Sequence, residues 1–460
     1  MPVQYDAIII GTGQAGPSLA ARLANAGKKV AIVERKLFDG TCVNTGCIPT
    51  KTMVASAYAA RMARRGAEFG VKIAGGVAMD MARVKARKDE VSGKSRTGLE
   101  ESLKNLENCA VYEGHARFES ADTVRVDSEL PGAERMFISA SQVFINVGGR
   151  AAIPSIQGLD RIQYLTNSSM MAVDFLPRHL VIVGGSYIGL EFGQMFRRFG
   201  SEVTILQRGP RLVPREDEDV STAMKEILEA EGIQVRLNTK CLEVSKRGDE
   251  IIVNEASISG SHLLLAAGRR PNTDDLGLDK AGISTDEHGY ITVDDQLRTN
   301  VPGIWALGDC NGRGAFTHTS YNDFEIVAAN LLDNDPRRVS DRVPAYAIYT
   351  DPPLGRVGMT EADVRKTGKP ALIGMRPMTK VGRAVEKSES QGFMKILIDA
   401  ETKSILGAAI LGTGGDEAIH SILDVMYAKA PYTVIQRAMH IHPTVSELIP
   451  TMLGELTPLS

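Results

Sequence analysis

Two cysteines define the first chemistry this chain can do. Four residues separate them in Cys42-Val-Asn-Thr-Gly-Cys47. The residues that follow read as a helix beginning at Pro49, a residue suited to a first turn. A sulfur near a helix N-terminus is stabilised as the thiolate. Two sulfurs one helical turn apart can close a small disulfide ring and so relay two electrons. The alternatives are half of a zinc site or a pair of inert core thiols. Zinc needs two further ligands, and neither a CxxC nor a histidine cluster is present. No resident metal site is therefore expected. Cys109, Cys241 and Cys310 stand alone and are read as structural.

Exchange between a dithiol and a disulfide also needs a base that takes a thiol proton and returns it to the leaving sulfur. The candidate is His442 in His440-Ile-His442-Pro-Thr-Val-Ser-Glu447. Pro443 fixes the backbone after it, and Glu447 lies within reach to orient the imidazole. His440 is read as a supporting residue.

Elements that could position these groups follow from the glycines. Residues 5–10 are an apolar run, followed by Gly11-Thr-Gly13-Gln-Ala-Gly16, a small-residue helix and a second strand closing at Glu34. Gly11 makes the tight turn, Gly13 lets a pyrophosphate meet the backbone, and Gly16 lets helix and strand pack closely. The helix N-terminus offers unpaired N–H groups to phosphates, and Glu34 can accept hydrogen bonds from an adenosine ribose. The pattern recurs at 180–206 with the turn Gly184-Gly185-Ser186-Tyr187-Ile188-Gly189. Two such folds imply two nucleotides and electron transfer between them. The second repeat ends in Gln207 instead of an acid, followed by Arg208 and Arg211. Arginines there favour a 2′-phosphate, so NADPH is expected over NADH; an ordinary solvated basic loop is the alternative.

Helix is expected over 48–105, with a break near Gly66. Short strands are expected over 109–150 and 233–270. Two apolar runs end in glycines, Gly148 and Gly268, as strands do near a cofactor or at a domain crossing. Asp309, after a further strand, is placed for a ribityl or ribose hydroxyl. A proline-rich stretch from 341 opens a separate α+β unit. The expected fold class is α/β: two Rossmann-like dinucleotide-binding domains plus a C-terminal α+β domain.

The chain has 460 residues, 43% hydrophobic and 24% charged, near globular averages and enough for roughly three domains. A net charge of −3 gives no overall polybasic footprint for nucleic acid or anionic membrane. No apolar stretch approaches the ~18 residues of a membrane span. The N-terminal residues lack a basic leader, so a cytoplasmic location is expected. Five cysteines are too few and too odd for a disulfide scaffold.

Taken together, GTGQAG with Glu34, CVNTGCIPTK, GGSYIGLEF, ALGD and HIHPTVSE resemble the flavoprotein disulfide reductase family over nearly the whole chain. The resemblance implies a homodimer with FAD, NAD(P) and interface domains: 1–150 with 270–340, 151–269, and 341–460. It implies that Cys47 is the thiol against the flavin and Cys42 the thiol that attacks substrate. Lys51 and Glu191 match the ion pair beside the flavin, and Tyr187 the aromatic gate for the nicotinamide. His442 and Glu447 would complete the site of the other subunit. HIHPTVSE resembles the lipoamide dehydrogenase ending, whereas CVNTGCIPTKT, Ser186 and PREDEDV are similar to mercuric reductase. Ala21-Arg22 retains only the second arginine of the pair typical of glutathione reductases. The chain shows neither a terminal cysteine pair nor an N-terminal CxxC domain, and mercuric reductases lack the C-terminal histidine. A small-molecule disulfide is therefore the expected acceptor, with a thiophilic metal ion, Hg(II) or Cu(II), as the runner-up and a non-catalytic flavin-binding sensor as the remote alternative. Residues near 53–62 and 316–323 are the expected lining of the acceptor pocket.

Overall fold

The computed structural model describes residues 1–128, 134–241, 243–254 and 258–459. Three of the five sheets among the described residues organise them. In the first, Val3–Ile10 lies between the parallel strands Val30–Glu34 and Met136–Ile145. Cys109–Glu113 extends one edge in parallel, and Ile304–Ala306 pairs with Met136–Ile145. In the second, four parallel strands run in the order 234–236, 202–206, 179–183, 262–265. The third is antiparallel and built from residues 345–458.

The apolar runs read from sequence are central strands because both their faces are covered. Ala7, Ile8 and Ile9 are fully buried, as are Val181 and Ile182. Each central strand feeds a helix through its glycine turn: Gly16–Asn25 in the first half and Tyr187–Phe199 in the second. A Cβ on Gly16 would collide with the Gly11 carbonyl, and one on Gly189 with that of Gly184. The two halves therefore share one helix–strand approach that no side chain permits.

Helix Cys47–Arg64 packs beside Met81–Lys104, which Asp80 caps by accepting from the Arg83 N–H at 2.9 Å. The chain is helical from Cys47, two residues before the expected start at Pro49, so Cys47 itself occupies the first turn. Met53 and Ala57 point from this helix into a core shared with Leu190, Met195, Leu354 and Leu411. That core joins all three sheets' units. A short antiparallel ribbon, Gly149–Ala151 against Arg269–Pro271, carries the chain between the first two sheets, directly after Gly148 and Gly268. Among the described residues no helix is long and apolar enough to cross a membrane.

Candidate active site

A cleft of about 1510 Å³ runs from the first glycine turn, past Cys42 and Cys47, to the third sheet. It exceeds the roughly 300–1,000 Å³ of ordinary small-ligand pockets and suits an extended dinucleotide. Gly11, Gly13, Glu34, Lys51, Gly148 and Asp309 all line it. Glu34 accepts hydrogen bonds from the Thr12 N–H at 3.0 Å and hydroxyl at 2.6 Å, which ties the acid to the turn it serves. A Cβ on Gly148 would meet nothing within 4 Å, so the strand ends in open cleft. Burial raises the Asp309 carboxyl above its usual range, against Arg269 at 3.5 Å. A half-buried acid with one ion-pair partner and an open cleft before it has capacity for hydroxyl donors. These residues fit FAD. Asp39, at φ 73°, accepts from the Gln14 amide at 2.9 Å and closes the first turn from above.

Both cysteines are thiols here, and the structure arranges them unequally. The Cys42 and Cys47 side chains interact so as to split their proton affinities. That interaction is the largest cause holding Cys47 down from 9.0 to about 6. The Thr317 hydroxyl, 3.1 Å from the Cys47 sulfur, and the charge of Lys51 act in the same direction, against burial. The same interaction pushes Cys42 up, and burial adds to it. Cys47 is thus the thiolate and Cys42 the proton-bearing neighbour. Iodoacetamide labelling of Cys47 in the reduced protein should rise through about pH 6. A midpoint near the ~8.5 of a free cysteine would refute the interaction with Cys42 as its cause.

Lys51 Nζ lies 2.8 Å from a Glu191 oxygen that is almost fully buried. The other oxygen accepts from the Tyr349 N–H at 2.9 Å. Lys51 also sits over the Tyr349 ring at 4.5 Å. The ammonium is therefore fixed from two sides beside the cysteines.

The second glycine turn mirrors the first. Gln207 Oε1 accepts from the Gly185 N–H at 3.0 Å, as Glu34 does from Thr12. The neutral amide keeps the bond to the turn without placing a negative charge there. Arg208 is exposed and Arg211 half-buried, the latter donating to the Pro214 carbonyl at 3.1 Å. Neither joins an ion pair among the described residues. Tyr187, first residue of its helix, lines the large cleft between this turn and the cysteines.

His442 and Glu447 are bonded as expected, Nδ1 to carboxylate at 2.9 Å. They do not line the cleft that holds the cysteines. The His442 side chain is 79% exposed, beside Met439 and Ile441 at 100% and 80%. The pocket expectation is half corrected. Residues 316–322 line the cleft, whereas none of 53–62 does; Met53, Ala57 and Ala60 face the core instead.

Comparison with known proteins agrees with this geometry. The pyridine nucleotide-disulphide oxidoreductase family matches residues 5–323, and its dimerisation domain matches 344–453. The chain belongs to this family. It is an NAD(P)H-dependent flavoprotein disulfide oxidoreductase. Among its relatives, RclA of Escherichia coli (strain K12) is 36% identical over 96% of this chain and 97% of its own. A mercuric reductase of Streptomyces lividans is 32% identical over 97% of this chain and 94% of its own. A dihydrolipoyl dehydrogenase of Thermus scotoductus is 32% identical over 96% of this chain and 95% of its own. The solved Cu(II) complex of the HOCl-induced flavoprotein disulfide reductase RclA from Escherichia coli superposes with a TM-score of 0.90 at 34% identity, covering 98% of this chain and 99% of that one.

Several site residues carry no sequence signal of their own. Asn146 accepts from the Gly16 N–H at 3.1 Å and donates to the Leu307 carbonyl at 2.9 Å, locking turn to strand. Asp323 accepts from the Gly308 N–H at 2.7 Å and so holds the turn that presents Asp309. Thr317 and Tyr349 reach the cysteines and Lys51 from distant parts of the chain.

Proposed function

We propose that this protein draws electrons from NADPH and delivers them through Cys42 and Cys47 to a small-molecule disulfide. The observation that carries the reading is the unequal dithiol: a thiolate at Cys47 and a protonated, half-buried Cys42. FAD, when bound, would supply hydride acceptance from the nicotinamide and two-electron transfer to the cysteines. Gly11, Gly13, Gly16, Glu34, Gly148 and Asp309 would hold it, and Lys51 with Glu191 would place a fixed positive charge beside it. Gly184, Gly189 and Gly268 would admit the NADPH backbone, with Arg208 and Arg211 on its 2′-phosphate and Tyr187 as the gate. Cys42 attacks the acceptor disulfide, forming a mixed disulfide and releasing the first thiol. Cys47 then attacks Cys42 and releases the second thiol, leaving Cys42–Cys47 oxidised.

Residues 1–150 with 270–340 form the FAD-binding unit, 151–269 the NADPH-binding unit and 341–460 the dimerisation unit, in a cytoplasmic homodimer. The exposed strip at Met439, Ile441 and His442 supports the dimer. Large exposed apolar side chains mark an interface, and His442 does not line the cleft that holds its own chain's cysteines.

A thiophilic metal ion is the second reading. Two soft sulfurs suit such ions, and a solved relative is described as a Cu(II) complex. One anaerobic experiment separates the two: NADPH and NADH oxidation by the holoenzyme with lipoamide, glutathione disulfide, an aromatic disulfide, Hg(II) and Cu(II). We expect kcat/KM for NADPH to exceed that for NADH, and a disulfide to be the best acceptor. A metal as best acceptor would overturn the disulfide reading, and parity of the two nucleotides would overturn the arginine reading.

A further inference from the structure

The Tyr187 ring does not close the cleft alone. Its centroid lies 5.9 Å from that of Phe316, tilted by 49°. Phe316 in turn lies nearly parallel to Tyr346, at 5.5 Å and 8°. It is also parallel to His318, at 5.5 Å and 7°. His318 Nε2 bonds the carbonyl of Ala345 at 2.7 Å, immediately before Tyr346. The far end is anchored as well. The Tyr346 hydroxyl donates to Oε1 of Glu216, a residue 3% exposed. The other Glu216 oxygen has no hydrogen-bond partner and faces Arg356 at 3.7 Å. Arg356 sits directly opposite Tyr346 on the neighbouring strand.

The chain of contacts therefore runs Glu216–Tyr346–Phe316–Tyr187 and draws on all three parts of the chain. Tyr346 comes from the antiparallel sheet, Phe316 from the loop before helix Thr317–Ala328, and Tyr187 and Glu216 from the second glycine-turn half. Phe316, Tyr187 and Tyr346 all line the cleft. Packed aromatic rings prefer such offset and tilted geometries over a face-to-face sandwich.

We propose that Tyr346 and Phe316 are positioning residues for the gate: Glu216 anchors Tyr346, Tyr346 holds Phe316, and Phe316 sets the closed position of Tyr187. This rests on the reading of Tyr187 as the nicotinamide gate. A nucleotide that binds only the open form associates at a rate reduced by the open fraction. Each ring contact that favours closure lowers that fraction. Removing one should speed association roughly two- to ten-fold, the range of a single aromatic contact.

The test is stopped-flow association of NADP⁺ with the oxidised holoenzyme, followed by the change in flavin absorbance. Tyr346→Leu should raise the association rate constant by roughly two- to ten-fold. Tyr346→Phe keeps the ring and loses the Glu216 anchor, and should give a smaller rise in the same direction; it also serves if the leucine variant does not fold. Tyr187→Ala should raise the constant, and adding Tyr346→Leu or Tyr346→Phe to it should change nothing further. An equal rise in both backgrounds would overturn the proposal, because Tyr346 would then act by another route. So would unchanged rates in both Tyr346 variants where Tyr187→Ala is fast. A Tyr187→Ala protein that binds NADP⁺ at the wild-type rate would instead overturn the gate itself, and this inference with it.

Discussion

Cys42→Ser should leave a yellow, folded protein whose disulfide turnover is lower by about 10³-fold or more, the loss typical of a removed nucleophile. The reason lies in the inequality of the two thiols. Their interaction raises Cys42 while lowering Cys47. Once an acceptor sulfur arrives, Cys42 can shed its proton and attack. A serine hydroxyl in its place can still donate to Cys47 and preserve much of the thiolate. It cannot form the mixed disulfide. Reduction of the flavin by NADPH should therefore continue in one turnover, while steady-state oxidation with a disulfide acceptor stops. Unchanged steady-state turnover in Cys42→Ser would remove the cysteine relay from the mechanism.

His442→Ala should lower disulfide turnover by about 10²- to 10⁴-fold, the usual contribution of a positioned acid–base group. Cys42 gains a proton affinity well above that of an ordinary thiol from its neighbour and from burial, so an external base matters more here than for a free thiol. Glu447 orients that base at 2.9 Å. Reduction of a metal ion should change far less, because a bound cation itself drives thiol deprotonation. The dimer makes a sharper version available. Neither Cys42→Ser nor His442→Ala homodimers should work. In a mixed dimer one site combines intact cysteines with His442 of the partner subunit. Random reassortment of equal amounts should restore roughly a quarter of wild-type activity, since half the dimers are mixed and each holds one complete site out of two. No recovery in verified mixed dimers would refute the placing of His442 at the cysteines of the other subunit.

Both expectations draw on local motifs, and local motifs carried a large share of this protein. The two glycine turns needed only Gly11, Gly13, Gly16, Gly184 and Gly189 at their spacings, because backbone approach depends on missing side chains and not on distant partners. The Cys42–Cys47 pair was legible as a candidate from its spacing, although the two cysteines stand on separate helices, Gly40–Asn44 and Cys47–Arg64, and not one turn apart on a single helix. Lys51 was adjacent in sequence, whereas its pairing with Glu191 came through family resemblance, and the 2.8 Å contact across the core follows from helices Cys47–Arg64 and Tyr187–Phe199 sharing that core.

Other features depended on how distant segments meet. Which sulfur carries the negative charge depends on the interaction of the two side chains and on the Lys51 charge beside Cys47, and neither follows from the spacing of two cysteines. The helix begins at Cys47 and not at Pro49, since proline propensity marks a tolerated position, not an obligatory boundary. Met53 and Ala57 turn to the core because Leu190 and Met195 stand opposite them, a match invisible in the helix alone. Phe316, Tyr346 and Glu216 come together from separate parts of the fold, and their alignment on Tyr187 exists only where three sheets converge. Short-range spacing records what a backbone segment must do locally; the partners that set charge, gate position and pocket lining are chosen by packing at long range.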